Sequence, residues 1–308
     1  MQCRKPIHCG FLLILLLFTL ACHRGNQSLA EKPLPFFHKS YGEGNPIIVI
    51  HGGPGLGSSY LEDHLRPLSE HSQVIFYDQR SSGRSPVCED STAISLQSFL
   101  SDIDDIRRFY NHDKVAVLGH SWGGLLAMQY AINYPTNTSN LILLGSNAPS
   151  SEMNNSANQK LAERFSDDDM AARQTILSSE AFANQLPEAY EELMMIGFNY
   201  QFADSRKLNQ LTLNLPEDFG TKNQTLSYLF KDFASYDYTN SLVDLSTPAL
   251  ILYGLKDAIT PTAVPLFSGL NPKFTVQVID DAGHFPFIEK PKETLGHIVS
   301  FLSDETSQ

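Results

Sequence analysis

Val115-Ala116-Val117-Leu118-Gly119-His120-Ser121-Trp122-Gly123-Gly124 is the stretch that decides the fold. A short apolar run leads into G-x-S-x-G, and a helical pattern with Leu125, Leu126 and Met128 follows at once. Strand, turn and helix in that order make Ser121 a candidate nucleophile elbow. A serine hydroxyl becomes a useful nucleophile only when it stands exposed on a tight turn. There a histidine can take its proton, and backbone N–H groups can meet the developing oxyanion.

Outward from the elbow, β-rich apolar runs alternate with amphipathic stretches. Strands are expected at Ile47–Ile50, Val74–Tyr77, Leu141–Leu144, Ala249–Tyr253 and Thr275–Ile279, and helices at Ser59–His71, Leu96–Tyr110 and Pro291–Leu302. That alternation predicts an α/β fold, a mainly parallel sheet with helices on both faces. Between about Pro149 and Asn240 the strand signal stops and helical periodicity continues, with polar breaks at Asn154–Asn155 and Asp167–Asp169. The expected organisation is therefore a core over 34–148 and 241–308, with a helical cap at 149–240 inserted over the carboxyl ends of the strands.

If Ser121 stands on an elbow, an acid should follow a later strand and a histidine the last one. Asp257 lies just past the run ending at Tyr253, and His284 just past the run ending at Ile279. Singly, an Asp after a strand is commonly a turn former, and a His beside aromatics is commonly packing. In this order after these strands, they read as a triad: His284 accepts the Ser121 proton and Asp257 holds the tautomer. The loop His51-Gly52-Gly53-Pro54-Gly55 follows the first parallel strand and lets backbone approach a substrate closely. Gly53 and Trp122 are the expected oxyanion donors.

The 308 residues carry 42% apolar side chains and a formal charge of −12, enough for a substantial core. With 22 Lys and Arg against 34 acids, nucleic acid is excluded as a partner. Arg4 and Lys5 precede an apolar stretch, Phe11 to Ala21, of the length of an export h-region. It ends in Thr19-Leu20-Ala21-Cys22, which resembles the lipobox of bacterial lipoproteins, although Thr19 stands where that motif usually has Leu. Residues 1–22 are thus expected to be an export signal with Cys22 as the lipidation site, and 23–33 a polar tether. The alternative is an ordinary cleaved signal. The expected location is the cell envelope, with a lipid anchor in the membrane. Only Cys88 would be left in the folded part, so no disulfide framework is possible there.

HGGPG at 51–55, DQRSSGRS at 78–85, GHSWGG at 119–124, GLKDAITP at 254–261 and AGHFPFIEKP at 282–291 closely resemble the proline iminopeptidase branch of the α/β-hydrolase superfamily. The resemblance implies the triad Ser121, Asp257 and His284, the donors Gly53 and Trp122, and no metal or organic cofactor. It implies release of an N-terminal residue, often proline, from short peptides through an acyl-enzyme. Three departures stand out. Ser81 replaces the usual glycine of D-Q-R-G. The leading hairpin is reduced to one strand near Phe36–Ser40. The insertion holds no tryptophan and does not match the family's cap signature, which supplies glutamates for the substrate's amine, so prolyl specificity does not carry over.

Residues 150–240 do hold 14 acids against 7 Lys and Arg. Glu188, Glu191 and Glu192 are the densest candidates for meeting a cationic N-terminus. A solvated acidic helix face is the plainer account of them. The aromatic set Tyr228, Phe230, Phe233, Tyr236 and Tyr238 similarly reads either as substrate pocket or as cap core. The leading expectation is a serine aminopeptidase acting on short peptides. A carboxylester or other acyl hydrolase with the same triad is the alternative, and a hydrolase-like ligand-binding protein is a more distant one.

Overall fold

The structure, a computed structural model, describes residues 33–304. The expected export signal with Cys22, and all of the tether but Pro33, lie outside the described residues. Among those described, no helix is long and apolar enough to cross a membrane.

Among the described residues seven strands form one sheet: β1 (His38–Tyr41), β2 (Pro46–Ile50), β3 (Gln73–Tyr77), β4 (Val115–His120), β5 (Thr138–Leu144), β6 (Ala249–Gly254) and β7 (Phe274–Ile279). Their order is β1-β3-β2-β4-β5-β6-β7. All neighbours run parallel except β1, which pairs antiparallel with β3 at the edge. Strand β4 is buried along its whole length, which is why it reads as an unbroken apolar run rather than an alternating one. Successive side chains of β2 feed opposite cores: Ile48 and Ile50 enter one, Ile47 and Val49 the other.

Several expectations shift: β5 begins at Thr138 rather than Leu141, and the break expected at Asn154–Asn155 lies inside the helix Ser151–Ala162. The leading strand begins at His38 rather than Phe36, whose ring instead packs on Tyr77 with centroids 5.9 Å apart. The helix expected over 59–71 is α-helical only over Ser59–Leu65 and continues as a 3-10 turn, Arg66–Glu70. Pro67 explains the change, because it has no N–H to continue the α ladder.

Between β5 and β6 the insertion is helical, with longer helices at Ser151–Ala162, Asp167–Leu177 and Pro187–Asn199 and a shorter one at Phe219–Leu226. The break foreseen at Asp167–Asp169 is a helix start: Ser166 and Asp169 form a capping box, and three acids in the first turn suit the helix dipole. The insertion is tied at its base, where Ser151 N–H donates to Tyr236 O and Tyr238 N–H to Pro149 O. Contacts unite the chain from Leu34 onward into one unit.

Candidate active site

Ser121 sits at the carboxyl end of β4 with φ 55° and ψ −121°, and the helix Trp122–Asn133 begins immediately after it. Its flanking glycines are sterically required. A Cβ on Gly123 would lie 2.1 Å from Ile50 O, and one on Gly119 would lie 2.2 Å from Gly123 O. The turn is pinned by its backbone, since Ser121 N–H donates to Leu144 O and Ser121 O accepts from Gly124 and Asn147.

Asp257 lies three residues beyond β6 and is buried. Its Oδ2 is 2.7 Å from His284 Nδ1. An ionised carboxylate only accepts, so Nδ1 carries the proton and Nε2 is left as the basic nitrogen. Ser121, Asp257 and His284 all line one cavity of about 420 Å³, under the cap. Among the described residues Ser121 Oγ makes no hydrogen bond to His284, and contacts of this kind commonly tighten only around bound substrate.

Gly53 also lines the cavity, with φ 121° in the region open to glycine. Trp122 occupies the first helical position, where the N–H has no intrahelical partner. Their surroundings come from the second motif, DQR. Gln79 Nε2 donates to His51 O at 2.7 Å, its backbone N–H donates to His51 Nε2 at 3.0 Å, and Trp122 Nε1 donates to Gln79 Oε1 at 3.2 Å. One glutamine thus braces both the glycine loop and the residue after the elbow. Ser81, the departure within that motif, holds φ 53°, a left-handed conformation that glycine would adopt without a Cβ penalty, while its Oγ accepts from Cys88 N–H at 2.7 Å.

The cap contributes Asn158, Leu161, Met194, Phe198, Asn223 and Phe230 to the cavity wall. None of the three glutamates singled out from the sequence lines it. Glu188 and Glu192 are exposed and Glu191 is half-buried on the same helix. Asp232 is occupied elsewhere, accepting from Leu96 N–H at 2.8 Å at the start of the helix Leu96–Phe109. Among the described residues, the only carboxylate on the wall is Asp257, which His284 already engages. Of the five aromatics, Phe230 alone reaches the cavity. Phe233 packs edge-on against Trp122 at 4.5 Å, and Tyr236 stacks on Tyr238.

Sequence reasoning missed the residues that support this site. Gln201 O, from the cap, accepts the His284 N–H at 2.7 Å. Glu289 is only 2% exposed; its Oε1 accepts from Ala203 and Asp204 N–H, and its Oε2 accepts from Gly283 N–H at 2.6 Å. The available signal for Glu289 was a lone acid within the apolar stretch after His284.

Comparison with known proteins bears on the family and the fold. A family model described as the alpha/beta hydrolase fold matches residues 45–291. A proline iminopeptidase of Heyndrickxia coagulans is 31% identical over 277 residues, covering 85% of this chain and 92% of its own. The chain belongs to the alpha/beta hydrolase family, on its proline iminopeptidase branch. Among solved structures, a proline iminopeptidase-related protein from Thermus thermophilus superposes with a TM-score of 0.67 at 21% identity, covering 88% of this chain and 95% of that one. An esterase from Exiguobacterium antarcticum gives 0.64 at 22% identity, covering 87% and 95%. These two show the shared fold.

Proposed function

We propose that this hydrolase works through Ser121, releasing N-terminal residues from short peptides by way of an acyl-enzyme. Ser121 Oγ attacks the carbonyl carbon while its proton passes to His284 Nε2, and Asp257 stabilises the imidazolium that forms. The negative charge on the carbonyl oxygen is met by the Gly53 and Trp122 N–H groups. As the C–N bond breaks, the leaving amine takes the proton from Nε2. Water, deprotonated by the same nitrogen, then cleaves the ester to Ser121 and frees the acid.

The observation that carries this reading is the 2.7 Å His284–Asp257 pair opening into the cavity that holds the elbow serine. The 31% identity to a proline iminopeptidase over most of both chains supports the aminopeptidase assignment. The test is Ser121→Ala, assayed with N-terminal aminoacyl anilides. Turnover should be lost with the fold intact, and a variant keeping more than about a hundredth of the wild-type kcat would remove Ser121 as the nucleophile.

One observation favours a second reading, hydrolysis of esters with uncharged acyl groups. Among the described residues the cavity wall offers a free amine only neutral acceptors, amides, hydroxyls and carbonyls, because its one carboxylate, Asp257, is already paired. Comparing each anilide with its N-acetylated form separates the two, since an aminopeptidase loses activity when the amine is blocked. Export and anchoring through Cys22 complete the reading, supported by the basic, apolar and cysteine order of the first 22 residues.

A further inference from the structure

His120, the residue before the elbow serine, is buried with its ring caged by Tyr60, His284, Phe285 and Phe287 at centroid distances of 4.9 to 5.6 Å. Both of its nitrogens are engaged. Nε2 lies 3.0 Å from the main-chain carbonyl of His284, and Nδ1 lies 2.7 Å from the hydroxyl of Tyr60. A carbonyl only accepts, so Nε2 carries the proton. Burial and the neighbouring His284 hold the His120 pKa well below the ordinary histidine range, so the ring is neutral and Nδ1 accepts from the Tyr60 O–H. The Tyr60 oxygen in turn accepts the Gly52 N–H at 2.8 Å. A single directed chain therefore runs from Gly52 N–H through Tyr60 and His120 to the carbonyl of His284.

Its two ends are the two loops whose relative position matters most for the chemistry. Gly52 O is held from the other side by His51 Nδ1 at 2.7 Å, so Gly52 is pinned on both faces. The peptide joining Gly52 to Gly53 is planar and trans, so fixing that carbonyl fixes where the Gly53 N–H points. On the proposed reading, that N–H is an oxyanion donor and His284 is the base.

We propose that Tyr60 and His120 are positioning residues that hold the oxyanion loop and the base loop in one register, without touching the substrate's reacting atoms. The inference rests on the catalytic roles given above. A register held this way matters in the transition state more than in substrate binding, and a displacement of about 1 Å costs on the order of a hundredfold in rate.

The test uses the full chain, 4-nitrophenyl butyrate as substrate and phenylboronic acid as a probe that forms a tetrahedral adduct on serine. Tyr60→Phe removes one oxygen and keeps the ring. Its kcat should fall about 10- to 100-fold with KM within twofold, and its affinity for phenylboronic acid should fall in step. His120→Phe should behave alike, and the double variant should be little worse than either, because the two residues form one chain. A Tyr60→Phe enzyme with kcat within twofold of wild type, a loss confined to KM, or additive losses in the double variant would each overturn the proposal. So would a fall in kcat with unchanged boronate affinity. Ser121→Ala runs alongside: activity surviving there sinks the catalytic reading itself, whereas a dead Ser121→Ala with an unimpaired Tyr60→Phe sinks only the positioning role.

Discussion

The main-chain carbonyl of Gln201 accepts the N–H of His284 at 2.7 Å, joining the cap directly to the loop that carries the base. The contact is close on both sides of the loop: a Cβ on Gly283 would lie 2.0 Å from the same carbonyl oxygen. Glu289 completes the clamp by accepting N–H groups from Ala203 and Asp204 on the cap and from Gly283 on the base loop. The cap is therefore part of what holds His284, as well as a cover over it.

Glu289→Gln should weaken that clamp. An amide offers one accepting oxygen where three backbone donors converge, and its NH2 must face one of them. The expected cost is about 2 to 3 kcal/mol of stability, with kcat lowered as well. Thermal unfolding checks the first and ester turnover the second. A melting midpoint unchanged within a degree would show that the three N–H groups find other partners.

Replacing Glu191 and Glu192 together by Gln should leave the ratio of kcat/KM between free-amine and N-acetylated substrates within about twofold of wild type, because surface charges contribute little to a ligand they do not touch. The reason is their absence from the cavity wall. A selective loss on the free-amine substrate would mean that the cap closes and brings this helix face to the substrate.

Acid should destabilise the protein through Asp78. Burial pushes this carboxyl up, but the Arg84 guanidinium at 2.7 Å and the Ser58 and Arg84 N–H groups outweigh it, leaving it below the ordinary aspartate value of 3.8. A carboxyl whose folded pKa is depressed contributes stability above its unfolded value, and that contribution is lost as pH falls through the folded one. Stability should therefore hold near neutrality and decline below about pH 4. Asp78→Asn should cost about 3 to 5 kcal/mol at pH 7 and flatten the acid limb. Urea titrations across that range decide it, and an acid limb as steep in the variant as in the wild type would assign the effect to other carboxyls.

If Cys22 is lipidated as proposed, Cys22→Ser should move the protein from the membrane to the soluble fraction, because two acyl chains on one cysteine hold a protein to a bilayer, whereas the sequence from Gly25 to Pro33 is mostly polar. Fractionation of expressing cells measures this. A wild type as soluble as the variant would leave export without an anchor.

The sequence by itself determined whatever depends on neighbours along the chain. Strand, tight turn and helix around Ser121 were legible because Gly119 and Gly123 are the only residues that their close backbone approaches allow. The sheet was legible because fully buried strands read as continuous apolar runs. The order of Ser121, Asp257 and His284 followed from which strands they succeed. Tertiary structure alone decided what meets across the fold. Charge counting found an acidic cap, yet which face of the helix Pro187–Asn199 turns inward depends on packing: Met194 and Phe198 line the cavity, and Glu192, two residues from Met194, points nearly opposite. The same holds for Tyr60 with His120 and for Gln201 and Glu289 with the base loop. These are hydrogen bonds between residues far apart in sequence, and a hydrogen bond leaves no local periodicity or composition by which its distant partner can be read.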